Sequence, residues 1–85
     1  MKLRQLKPFA RQYTKLPPAV RKKVDRQLIN LNHDIRHPGL RAQKMVNRDD
    51  IWEARVDEHY RFTFQIRDNF IILRKVGTHQ IYRKP

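Results

Sequence analysis

Between Ile51 and Tyr82 apolar and polar residues alternate with a period of two, which commits the second half of the chain to a β-meander. Trp52, Ala54, Val56, Phe62, Phe64 and Ile66 fall on one face, while Glu53, Arg55, Asp57, Arg61 and Thr63 fall on the other. Side chains of a strand alternate across the sheet, so the first set predicts a core face and the second a charged one. The pattern also constrains the connections. A two-residue loop at Glu58 and His59 would set Val56 opposite Arg61 and Arg55 opposite Phe62, mixing both faces. An odd-length loop or a bulge around Glu58 to Tyr60 keeps the faces clean. At the next turn Asp68 and Asn69 both tolerate positive φ and suit a two-residue type I′ hairpin. That register sets Phe64 against Leu73, Ile66 against Ile71, Thr63 against Arg74 and Arg61 against Val76. His79, three residues past Val76, then comes into the neighbourhood of Arg61.

The first half is helical. Phe9, Tyr13 and Leu16 follow Pro8 at helical spacing, predicting a short amphipathic helix to about Lys15. Pro17 and Pro18 end it and begin a second helix of about four turns. Val20, Val24, Leu28, Leu31 and Ile35 form its stripe, and Pro38 and Gly39 stop it. So short a connection makes the helices an antiparallel hairpin. Met1 to Leu6 reads as a short edge strand, Leu40 to Val46 as a second short strand, and Asn47 to Asp50 as a turn. With no repeats or linkers, residues 1–85 are expected to form one α+β domain.

Charge narrows the partners. Lys and Arg number 20 against 8 Asp and Glu, giving +12, which favours a polyanion: nucleic acid or a strongly acidic protein. A domain of this size buries only about 60–65% of its unfolded surface, so a partner would stabilise it. No apolar run approaches membrane-spanning length, and MKLRQLK lacks the apolar core of a signal peptide. The absence of cysteine removes disulfides, thiolate metal sites and a cysteine nucleophile, and a cytoplasmic location without membrane association is expected. With 2 glycines there is no Gly-rich phosphate loop, and no cofactor motif is present.

Three constellations bear on chemistry. Arg55, Arg61 and Arg74 would form a triangle of guanidinium groups able to grip phosphate; a solvated face balanced by Glu53 and Asp57 is the plainer alternative. His79 follows Gly77 at a strand end, where an imidazole can exchange protons, although a lone histidine can equally be structural. Tyr82 can stack on a base, bond a phosphate or cap the core. His33 and His37 have a helical i, i+4 spacing. They lack a third ligand, and no metal site is assigned.

The segments KLPPAVRKKV (15–24), the Leu40–Arg41 pair of HPGLR, IWEARVDEHYRFTFQI (51–66) and ILRKVGTHQIY (72–82) together resemble the RelE/ParE superfamily of bacterial toxin–antitoxin toxins over nearly the whole chain. The resemblance implies two helices packed on a twisted, mainly antiparallel four-stranded sheet. It implies a ribosome-dependent endoribonuclease that cuts mRNA in the ribosomal A site by attack of the RNA 2′-hydroxyl. The superfamily also contains gyrase inhibitors without nuclease activity, so that function stays an alternative, as does an inactive basic RNA-binding module. Carried over by position, Arg61 of the YRFTF strand stabilises the phosphate, Arg55 occupies the basic position after the tryptophan, His79 is the general acid and Tyr82 orients the substrate. Some relatives hold lysine or histidine at Arg55, and an arginine stays protonated. The general base is therefore sought in Glu53 first, then Asp57 or His59. Arg41, Lys44 and Arg74 are expected to contact RNA. The implied partners are an acidic antitoxin in a hetero-oligomer, the ribosome and mRNA.

Overall fold

The computed structural model describes residues 1–46 and 48–85. β1 spans Lys2–Gln5, α1 Lys7–Thr14, α2 Pro18–His33, β2 Gln43–Lys44, β3 Trp52–Arg55, β4 Arg61–Arg67 and β5 Phe70–Gly77. Short 3-10 turns cover Pro38–Leu40 and His79–Arg83. Each α-helix has a proline in its first turn, where the missing N–H costs nothing because that donor has no intrahelical partner.

The described strands form one sheet in the order β1-β5-β4-β3-β2, five strands where four were expected. The additional members are short edges. β1 runs parallel to β5, with Lys2 opposite Phe70 and Gln5 opposite Leu73, and every other pairing is antiparallel. Of the turn expected at 47–50, Asn47 lies outside the described residues, and Asp50 adopts a positive φ of 50°.

The odd-length first loop is as the alternation requires. Arg55 pairs with Arg61 and Ala54 with Phe62, while the Val56 amide closes the loop by donating to the Tyr60 carbonyl at 3.0 Å. In the second hairpin Phe64 faces Leu73 and Ile66 faces Ile71, as expected. Beyond Phe64 the register corrects the sequence expectation, because Thr63 pairs with Lys75, Phe62 with Val76 and Arg61 with Gly77. Arg74 is the extra residue of a β-bulge. Its cause is apolar. Without it Val76 would stand opposite Arg61 and turn outward, whereas with it Val76 is 1% exposed beside Phe62.

Both helices cover one face of the sheet. Phe9, Leu16, Val20, Val24 and Leu31 pack with Ala54, Val56, Phe62, Phe64, Ile71, Leu73 and Val76. Phe62 and Phe64 are fully enclosed, each contributing about 1.5–3 kcal/mol by leaving water. Trp52 stacks on Phe64 with ring centroids 5.9 Å apart. Gln27, a polar residue on α2, is buried. Its amide donates to the carbonyls of Gly39 (3.0 Å) and Arg55 (2.6 Å), tying α2 to the end of β3. Where β1 stops, the Val76 amide on the open side of β5 donates to the Gln12 side chain of α1 at 2.9 Å.

The opposite face, expected to be the charged one, is partly covered by the chain after β5. Thr63 and Arg74 both donate to the Pro85 oxygen, at 2.8 and 3.2 Å, and Thr63 is wholly buried. Ile81 and Pro85 are buried with it. None of the helices among the described residues is long and apolar enough to cross a membrane.

Candidate active site

The first β-hairpin loop and the 3-10 turn after β5 meet across the end of the sheet, and between them lies a concavity of about 180 Å³ lined by Glu58, His59, Arg61, His79 and Tyr82. The register explains the meeting. Arg61 opens β4 opposite Gly77, the last residue of β5, so the two segments leave the sheet side by side. Gly77 keeps the turn close: a Cβ there would lie 3.0 Å from the Ile81 side chain.

Arg61 is held in place by its own hairpin. Its guanidinium donates to the Asp57 carbonyl and, at 2.9 Å, to the Tyr60 carbonyl, which leaves other donors of the fork for an anion. The loop is in turn built by Asp57. Its Oδ1 accepts from the amides of His59 and Tyr60, both at 2.8 Å, and its Oδ2 from Lys23 at 3.2 Å. Burial works to raise the Asp57 carboxyl, but those two amides and Lys23 outweigh it and hold it below its ordinary value of 3.8. Asp57 is thus committed to the loop and poorly basic.

Tyr82 donates its hydroxyl to Glu53 at 3.3 Å, and Gln43 donates to the same Glu53 oxygen at 3.4 Å. Burial and the Glu53 carboxylate push the Tyr82 hydroxyl above its ordinary value of 10.0, against the opposing pull of Arg61. Tyr82 is therefore a proton-bearing donor at neutral pH. Its carbonyl accepts from Arg48 at 3.2 Å.

The structure thus gathers Arg61, His79 and Tyr82 on one concavity, with Glu53 behind Tyr82 rather than on the lining. Arg55 stands directly opposite Arg61, sharing its face without lining the concavity. The arginine triangle does not form, because the bulge carries Arg74 toward Pro85 and Gln65, to whose side chain it donates at 2.7 Å. Arg41 is exposed after the Pro38–Leu40 turn at φ 48°. Lys44 lies over the Trp52 ring at 5.8 Å and 3.8 Å from Asp50. Neither lines the concavity. The helical premise for His33 and His37 fails, since α2 ends at His33 and His37 accepts from the Gly39 amide at 3.1 Å. Among the described residues no three His, Asp or Glu side chains gather to hold a metal ion. Glu58 was missed by the sequence reading and His59 ranked low there. Their signal was membership of the loop that the alternation had already forced to odd length.

No protein-family model and no curated protein matches the chain. Solved structures do. A chain of the intact E. coli RelBE toxin–antitoxin complex matches with 19% identity and a TM-score of 0.74, covering 91% of this chain and 94% of its own. The RelB–RelE antitoxin–toxin complex of Methanococcus jannaschii matches with 19% identity and a TM-score of 0.76, covering 95% and 98%. A YoeB/ParE toxin from Agrobacterium tumefaciens matches with 15% identity and a TM-score of 0.74, covering 93% and 99%. The two helices and the mainly antiparallel sheet thus have a RelE-like fold.

Proposed function

We propose that this chain is the toxin of a toxin–antitoxin module and that it acts as a ribosome-dependent mRNA endoribonuclease in the cytoplasm. The observation that carries the reading is the convergence of His79, His59, Arg61 and Tyr82 on one concavity of a chain with net charge +12. Cleavage needs a base for the RNA 2′-hydroxyl, an acid for the leaving 5′-oxygen and donors for the crowded phosphate. His79 supplies the acid. Arg61 supplies a charged fork already fixed by its hairpin, Tyr82 an aromatic wall that orients the substrate, and Arg55 further positive charge from the neighbouring strand. Among the three groups considered for the base, Asp57 is engaged by the loop and Glu53 is screened by Tyr82, so the role passes to His59. The 2′-oxygen attacks phosphorus as His59 takes its proton, and the P–O5′ bond breaks as His79 gives one. The products are a 2′,3′-cyclic phosphate and a 5′-hydroxyl.

Two of the structural relatives are RelB–RelE complexes, which supports an antitoxin partner for this chain; an acidic one would cover this basic surface in a hetero-oligomer. Primer extension on a message translated in a cell-free system tests the activity. The wild type is expected to cut, and His79→Ala and His59→Ala to cut about 10²–10⁴-fold more slowly. Intact transcripts with both wild type and His79→Ala, alongside growth arrest, would refute the nuclease; a gyrase supercoiling assay then tests the ParE-like alternative. Full cleavage by His59→Ala with loss in Glu53→Gln would return the base to Glu53.

A further inference from the structure

The 3-10 turn His79–Arg83 has two sides. His79 and Tyr82 face the concavity, whereas Gln80, Ile81 and Arg83 line a second, larger depression of about 390 Å³. Its other walls are Lys75, Val76 and Gly77 of β5, Thr78, Lys84 and Gln12 of α1. It occupies the open side of β5 beyond the point where β1 stops pairing, and the Gln12 bond to the Val76 amide forms its floor. Three cations, Lys75, Arg83 and Lys84, border it and no carboxylate does. Among the described residues none of the three joins an ion pair, whereas Lys23, Lys44 and Arg67 each have an acidic partner. The bulge contributes here too, because it shifts Lys75 by one place relative to β4.

We infer that this groove is a second RNA-binding subsite, which holds the phosphate backbone of the strand whose scissile phosphate sits at the concavity. The inference rests on the endoribonuclease reading for the position of that phosphate. Continuity favours RNA over an acidic protein: one turn of chain separates the two depressions, a width on the order of 10 Å that a single strand crosses within a few nucleotides. The groove also offers cations without acidic partners and two amide side chains, groups that track a phosphate backbone without reading sequence.

The test measures binding of a short fluorescein-labelled single-stranded RNA to full-length His79→Ala protein across a salt series. Adding Lys75→Ala, Arg83→Ala and Lys84→Ala should weaken binding at least 10-fold and flatten the slope of log affinity against log salt by about 2, since each phosphate contact contributes about 0.7 on a single strand. Removing equal charge from another surface, with Lys22→Ala, Arg26→Ala and Arg36→Ala, should change the slope by less than half as much. Equal losses in the two triple variants would reduce the groove to net charge and overturn the proposal. So would unchanged RNA affinity with lost binding of a poly-glutamate peptide, which would make the groove a protein interface. Arg83→Glu with Lys84→Glu alters only exposed side chains and serves if the Lys75 change unfolds the strand; unchanged RNA affinity there also overturns it. Cleavage is read separately with His79 intact. Its absence alongside groove-dependent binding would sink the nuclease and leave the subsite standing.

Discussion

Asp57 shows how one carboxylate can hold a functional loop without entering its chemistry. It accepts two loop amides and pairs with Lys23, whose exposed end makes the ionic part worth little. Asp57→Ala should therefore cost about 1–2 kcal/mol, mostly from the two unpaired amides, measured by denaturant unfolding. Because folding lowers this pKa, the contribution is complete above the unfolded value, near 3.8, and fades as pH falls through the lower folded value. The stability gap between wild type and Asp57→Ala should shrink over that acid range; a gap that stays constant refutes the assignment. Arg61 differs, combining a structural use with the chemical one proposed for it. Arg61→Ala should reduce cleavage at least 10²-fold while the lost carbonyl contacts cost about 1 kcal/mol, a fall of about 4–8 °C in Tm. A collapsed thermal transition would show the residue to be chiefly structural.

At the scale of elements, the bulge and the tail decide where the site lies. The first hairpin was legible because Val56 and Phe62 are both apolar and opposite in parity to their charged neighbours. The same test applied to β5 exposes its bulge: Ile71 and Leu73 share one parity and Val76 the other, so a strand that buries all three must gain a residue between. The tail was not legible. Ile81 and Pro85 are isolated apolar residues without periodicity, and nothing local shows that the tail returns to place Pro85 against Thr63. Gln27 escaped for a related reason, since its partners are backbone carbonyls distant in sequence. Gln27→Leu should cost about 1–3 kcal/mol by stranding the Gly39 and Arg55 carbonyls, read from the shift in urea midpoint. Gly77→Ala tests the turn. The new methyl would press on Ile81 and displace the His79–Arg83 turn by a few tenths of an ångström, lowering cleavage roughly 10-fold with Tm little changed. Unaltered cleavage would mean that the turn yields without moving His79.

For the whole molecule, charge and size act together. A +12 surface on 85 residues repels itself, so a partner that neutralises it adds stability by mass action. An acidic antitoxin at a hundredfold excess over its Kd should add about 2.7 kcal/mol and raise Tm accordingly, with the gain shrinking at high salt. A salt-independent shift would mean an interface governed by apolar contact instead.

The parallel pairing of β1 with β5 sets a folding order. Lys2 waits for Phe70, so the strand made first acquires its neighbour only after most of the chain exists. Such distant closure is slow relative to helix formation, and the two helices can form well before the sheet is complete. His79 lies beyond even that closing strand. A ribosome making this protein therefore finishes the meander before the proposed catalytic histidine can reach Arg61, and a truncated product ending within β5 would carry most of the positive charge without the proposed chemistry.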